Sequence, residues 1–249
     1  MPSVLMPCQK LKSFTLHNVG VDVQEDLFRR LAVPKDCTVH IMTDSVNNLA
    51  DAIHPYVLLS RQPRLTHLAL SNRGLTIADE RNDKLRTFVV EVDWFQGWQL
   101  DVSSLDTLDP SHITTVDLSI QIIDGSDEST KRAFQVWDIL SLLSDIRGLS
   151  FKFDLHLLKE LISVDSLPAV THLRLWWVRL DAPVVIGGIS ETNLSFLLKW
   201  LNDRRTVDRV APIRTIELEN CGFGSEETLE RLRTEGQVEV VVQDRRRDA

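Results

Sequence analysis

The sequence predicts an α/β fold in which short parallel strands make a curved sheet on a concave side and helices cover the convex side. Three observations lead there. A pattern of apolar residues at positions 1, 4, 6, 9 and 11 recurs along the chain. Amphipathic helical segments follow several of its copies. The composition, 249 residues with 43% hydrophobic and 26% charged, suits a chain that buries a sizeable core.

In chain order, the first copy is LKSFTLHNVGV, with Leu11, Phe14, Leu16, Val19 and Val21 in the apolar slots. CTVHIMTDSVNNLADAI then predicts a strand at Thr38 to Met42 and a helix after Ser45, interrupted near Pro55. Copies beginning at Leu65 (LTHLALSNRGL) and Leu85 (LRTFVVEVDWF) keep positions 1, 4 and 6, and WFQGWQLDVSS predicts a turn at Gly97 and a further strand. ITTVDLSIQII from Ile113 leads to TKRAFQVWDILSLLSDI, a helix with Ser129 placed to cap it and Phe134, Trp137, Ile139, Leu140 and Leu143 near one side. IRGLSFKFDLH follows from Ile146.

The C-terminal copies match best. VTHLRLWWVRL supplies Val170, Leu173, Leu175, Val178 and Leu180, and ETNLSFLLKWLNDRR after it groups Leu194, Phe196, Leu197, Trp200 and Leu201. IRTIELENCGF supplies Ile213, Ile216, Leu218, Cys221 and Phe223. SEETLERLRTEG reads as a helix from Ser225 to Gly236, with Glu226 and Glu227 in its first turn, and VEVVV (Val238 to Val242) as the last strand.

The physical sense of the pattern is that a short strand buries positions 4 and 6 on one face and the chain turns inward again at 9 and 11. Stacking such units gives a parallel ladder. This is the pattern of leucine-rich repeats, and the uneven spacing of the copies predicts an irregular leucine-rich-repeat solenoid. The domain reading is a lead-in at residues 1–10, one repeat domain at 11–243 and a charged tail at 244–249.

Charge and cysteine use exclude several classes. Twenty-eight Lys plus Arg against 36 Asp plus Glu give a net charge of -8, so no nucleic-acid partner is expected, since phosphate attraction needs a basic face. Cys8, Cys37 and Cys221, an odd number at wide spacings, signal neither a disulfide framework nor a metal knuckle. A reducing compartment fits them. The opening MPSVLMPCQKLKS lacks the apolar run of a signal peptide, and no stretch approaches a membrane span. The expectation is a cytoplasmic or nuclear protein with no membrane partner, in which the sequon at Asn193 is helix surface.

Reactive constellations are not evident either. GFGSEE at Gly222 to Glu227 lacks the Lys and third Gly of a phosphate loop and reads as a helix start. DGSDEST from Asp124 has Ser129 and Gln135 where a calcium loop needs Gly and Glu. His17, His40, His54, His67, His112, His156 and His172 have no metal-ligand spacing. No catalytic residue, metal or cofactor is expected. The alternative to a binding surface is a hydrolase-type enzyme or small-molecule binder whose pocket is built from loops, for instance around Gly187 and Gly188.

What the pattern exposes is more informative. Two adjacent tryptophans in VTHLRLWWVRL cannot both face the core. Burying Leu173 and Leu175 puts His172, Arg174 and Trp176 outward and turns Trp177 to the strand end. An outward aromatic beside an arginine has the composition of an interaction hot spot; the bland reading is that a helix or loop covers Trp176, or that Trp176 merely packs on Arg174 within the sheet. Ser150 and Lys152 would flank them on one side, with Glu217 and Glu219 further along. His67 and His172 share position 3 and His17 takes position 7, which places all three outward.

In its order of segments, with an opening LKSFTLHNV strand, then CTVHI, WQLDVSSL, PIRTIELENCGF and VEVVV, the chain resembles the F-box and leucine-rich-repeat proteins abundant in mushroom-forming fungi, over residues 11–243. The resemblance implies that the repeat arc selects a protein target while an F-box engages the adaptor of a cullin-RING ubiquitin ligase. Ten residues precede Leu11, against roughly 40 for a small helical bundle. No F-box is therefore expected here, and an adaptor would be reached only through an F-box supplied elsewhere. A fragment, a truncated gene product and a protein working without ligase recruitment all remain open. The uncapped first repeat around Phe14 and Leu16 is expected to be exposed and to self-associate.

Overall fold

In the computed structural model the described residues are 6–7, 10–34, 36–43, 65–71, 74–81, 84–92, 110–119, 140–152, 167–186 and 189–243. They form a mixed α/β structure dominated by parallel strand pairs, in two compact units, residues 1–113 and 114–249. The helices expected after Ser45 and Ser129 and the strand expected after Gly97 fall outside the described residues, apart from the end of the second helix at Leu140 and Ser141.

In the first unit, β1 (Met6–Pro7) pairs in parallel with β3 (Leu31–Ala32) as a separate two-stranded piece. β2 (Ser13–His17) pairs in parallel with β4 (Thr38–Thr43), in the register Ser13 to Thr38. Between them α1 (Val21–Arg30) buries Gln24 and Phe28. Gln24 Nε2 donates to Val19 O at 2.6 Å, and the Phe28 ring meets Phe14 edge-on at 6.1 Å. Phe14 and Leu16 are accordingly half-buried, not fully exposed as a bare first rung would be.

The copies at Leu65 and Leu85 become β5 (Leu65–Ser71) and β7 (Lys84–Val92), but β6 (Gly74–Arg81) lies between them and is antiparallel to both. The parallel ladder expected there is thus replaced by a meander. Link length is the reason: only residues 72–73 and 82–83 separate these strands, far too few for a parallel crossover. β7 then pairs in parallel with β4.

In the second unit the strands predicted from the recurring pattern pair in parallel and in register. β8 (Thr115–Ser119), β9 (Gly148–Lys152), β10 (His172–Trp176), β13 (Thr215–Glu219) and β14 (Glu239–Gln243) are parallel in that spatial order. Thr115, Gly148, His172 and Thr215 stand opposite one another, each at position 3 of its copy, and Glu239 on β14 falls in the same register. The position-2 carbonyls fix this register. Thr114 O accepts from the amides of Arg147 and Gly148 at 2.8 and 3.0 Å, Arg147 O from Thr171 and His172 at 3.0 Å each, and Thr171 O from Arg214 and Thr215 at 2.8 and 3.3 Å. Lys12 O in the first unit accepts from Thr38 N at 2.9 Å in the same way.

The apolar slots of these copies form the core. Ile113, Val116 and Leu118; Ile146, Leu149 and Phe151; Val170, Leu173, Leu175, Val178 and Leu180; and Ile213, Ile216 and Leu218 are all buried. Each such side chain contributes about 1.5 to 3 kcal/mol relative to exposure. α2 (Asn193–Arg205) adds Leu194, Leu197, Leu198, Trp200 and Leu201, while Phe196 stays half-buried. Its start is capped by Thr192, whose hydroxyl accepts from Ser195 N at 3.1 Å. The sequon residue Asn193 is tied down too, its Nδ2 donating to Arg179 O at 2.6 Å. β11 (Pro183–Ile186) and β12 (Ile189–Thr192) form an antiparallel hairpin before α2. α3 (Glu226–Thr234) follows Ser225 and inserts Leu229 and Leu232. Gly236 closes it where a Cβ would lie 2.2 Å from Leu232 O, so no larger residue fits.

Arg204, 1% exposed, is the largest fully buried side chain among the described residues. Its Nη2 donates to Leu167 O at 2.7 Å and Val170 O at 3.2 Å, and its Nε to Ala211 O at 3.0 Å. Burial lowers its pKa to about 10, and these carbonyl bonds, with the Trp200 ring 5.4 Å away, hold the guanidinium. Arg204→Met, similar in length but without donors, strands those carbonyls. It should cost roughly 2 to 4 kcal/mol, read as a lower urea midpoint. Cys221 makes a second test. Burial raises its thiol pKa, and Cys37 is fully buried. Peptide-mapped alkylation at mildly alkaline pH should label both slowly until urea unfolds the chain.

Candidate functional site

Alternation along the strands of the second unit leaves positions 3, 5 and 7 on the face away from the core. On β10 these are His172, Arg174 and Trp176, all partly exposed between the buried Leu173 and Leu175. β9 and β13 are its direct neighbours on either side. Arg174 is opposite Ser150 and Glu217, and Trp176 is opposite Lys152 and Glu219. All seven expected residues thus lie on three adjacent strands, with Glu217 and Glu219 beside β10 itself. The side chain of Lys152 lies outside the described residues.

The contacts centre on Arg174. Its Nη2 donates to Glu219 Oε2 at 2.5 Å, its Nε lies 3.6 Å from Glu217 Oε2, and its Cζ sits 4.4 Å above the centre of the Trp176 ring. His172 Nε2 is 3.3 Å from the same Glu217 oxygen. The bland expectation, Trp176 packing on Arg174 within the sheet, is therefore part of the geometry. Glu219, 6% exposed, is a carboxylate covered by its own cation. Ser150, 5% exposed, stands in register between the longer Asp117 and Arg174 and does not reach solvent. Arg174 Nε and the Trp176 indole N–H are buried without a hydrogen-bond acceptor among the described residues.

The face extends beyond the seven. Thr115 and Asp117 on β8, Thr215 on β13, and Glu239, Val241 and Gln243 on β14 occupy the same outward positions. The recurring pattern contains Thr115, Asp117 and Thr215 at positions 3 and 5 of its copies, whereas the β14 residues follow only from their register with β13. Arg174 with Glu217, Glu219 and Glu239 leaves this part of the face acidic. Its chemistry is that of a polar surface with an aromatic at the end of its middle strand. His67 and His17 belong to the first unit. Among the described residues no three His, Cys, Asp or Glu side chains are grouped as metal ligands. Residues 187–188 and the acidic stretch from Asp124 lie outside the described residues. No described helix is long and apolar enough to cross a membrane.

Trp177 is 49% exposed and adopts a left-handed backbone, φ 60°. The equivalent position 8 of two other copies is Asn18, φ 51°, and Asn220, φ 51°. In all three the amide donates to position 7 of the next strand: to Met42 O at 2.8 Å, Glu219 O at 3.1 Å and Gln243 O at 3.4 Å, respectively. The turn requires the left-handed conformation, which Asn accepts locally and a bulky side chain resists.

Compared with protein-family models, curated proteins and solved structures, the chain matches none.

Replacing Trp177 by Asn and by Ala removes the indole in both chains and leaves only the backbone preference to differ. The Asn chain should be more stable than the Ala chain by about 1 kcal/mol in urea unfolding, and Asn220→Ala should lose a similar amount relative to wild type.

Proposed function

We propose that the outward face of β8, β9, β10, β13 and β14 is a protein-binding surface on a leucine-rich-repeat framework, and that the chain is the target-recognition part of an F-box-type ubiquitin-ligase substrate receptor. The framework reading is supported by copies stacked in register and by the left-handed residue recurring at position 8. The observation that carries the surface reading is Arg174. It is oriented before any partner arrives, stacked on Trp176 and ion-paired to Glu219. A preorganised Arg and aromatic pair loses little side-chain freedom on binding, which is the property of an interface anchor. No reaction is assigned to the face, and the adaptor belongs to whatever F-box accompanies it.

A photo-cross-linker placed at Thr215 identifies what touches the face, and the affinity of that purified protein is then measured. Arg174→Ala with Trp176→Ala should weaken binding at least tenfold, by a rough anchor-residue expectation. Glu239→Arg at the exposed rim should act mainly on the association rate. Glu230→Arg on exposed α3 should change nothing. Equal loss from Glu230→Arg, or no loss from the paired alanines, removes the proposal.

A further inference from the structure

β14 is hydrogen-bonded on one side only: β13 covers one edge, and no described strand lies along the other. Glu239 N donates to Arg214 O and Gln243 O accepts from Asn220 N, both toward β13. Backbone groups alternate sides along a strand, so Val240 and Val242 present their N–H and C=O groups at the open edge. Val241 and Val242 are 37% and 39% exposed. The strand Glu-Val-Val-Val-Gln carries no Pro, Lys or bulge to blunt that edge.

We infer that this edge is a homodimerisation surface whose occupant is β14 of a second copy, running antiparallel about a two-fold axis through Val241. Such an axis sets Val240 opposite Val242 of the other copy. Those two residues then exchange both backbone bonds, as in a hydrogen-bonded antiparallel pair. Val241 faces its own equivalent in the close, non-hydrogen-bonded pair. Glu239 falls opposite Gln243, a carboxylate beside an amide donor with no like charges opposed. The strand is self-complementary in the way a closed two-fold contact demands. A parallel arrangement would instead bring Glu239 against Glu239. The inference is independent of what binds the outward face.

Sedimentation of the full chain over a concentration series should show a monomer–dimer equilibrium. Val241→Lys, which opposes two cations at the axis, and Val242→Pro, which removes an edge donor, should each weaken the dimer at least tenfold. At concentrations where the parent chain is monomeric, the urea transition of Val241→Lys should stay unchanged. On mild oxidation Val241→Cys should cross-link to its own kind through position 241, because Cα atoms about 4.5 Å apart suit a disulfide. Glu239→Cys, set against Gln243, should not. Hydrogen exchange should show the Val240 and Val242 amides protected in the dimer and open in the monomer. A chain monomeric up to its solubility limit overturns the inference. So does a dimer indifferent to both edge variants, or protection of those amides in the monomer, which would mean that another segment already occupies the edge.

Discussion

The constraint on which the second unit rests is a backbone one. The carbonyl at position 2 of one copy accepts two amide protons from the next, at Thr114, Arg147 and Thr171 in turn. A strand with period-2 side chains that slipped by one residue would send its apolar set outward, so this doubled bond also fixes which residues are core. Leu173 and Leu175 are buried, and Arg174 lies over Trp176, because the rung is anchored two residues earlier.

The same anchoring explains which parts were legible in the sequence. The strands from Ile113, Ile146, Val170 and Ile213, and the helices with Leu194 and Leu229, follow from local periodicity because their burial depends on neighbours of the same kind. The outward positions of His172, Arg174, Trp176 and Glu217 come with them. The recurring pattern does not mark β6 as a strand at all, and its antiparallel direction could not be read that way. Apolar alternation says that a segment is a strand but not which way it runs, and the deciding quantity was the length of two short links.

Four residues escaped for a different reason. Arg204 at the end of an amphipathic helix looks like a solvated last-turn cation, and only the carbonyls of Leu167, Val170 and Ala211 make it interior. Glu219 and Ser150 sit in outward slots but are covered by neighbours on adjacent strands. Composition along one strand carries no information about the reach of the next. Trp177 belongs with them, since its slot suits Asn by analogy with Asn18 and Asn220, and its left-handed φ is visible only in the folded backbone.

Arg204 bonds the segment before β10 through Leu167 and Val170, and the segment before β13 through Ala211. Stacked repeats ordinarily fray from an end, one unit at a time, because each touches only its neighbours. A single cation shared between two entries couples their opening. Loss of β13 would leave the guanidinium short of an acceptor beside β10, so the last part of the chain should open as one cooperative block whose smallest step is larger than a single rung.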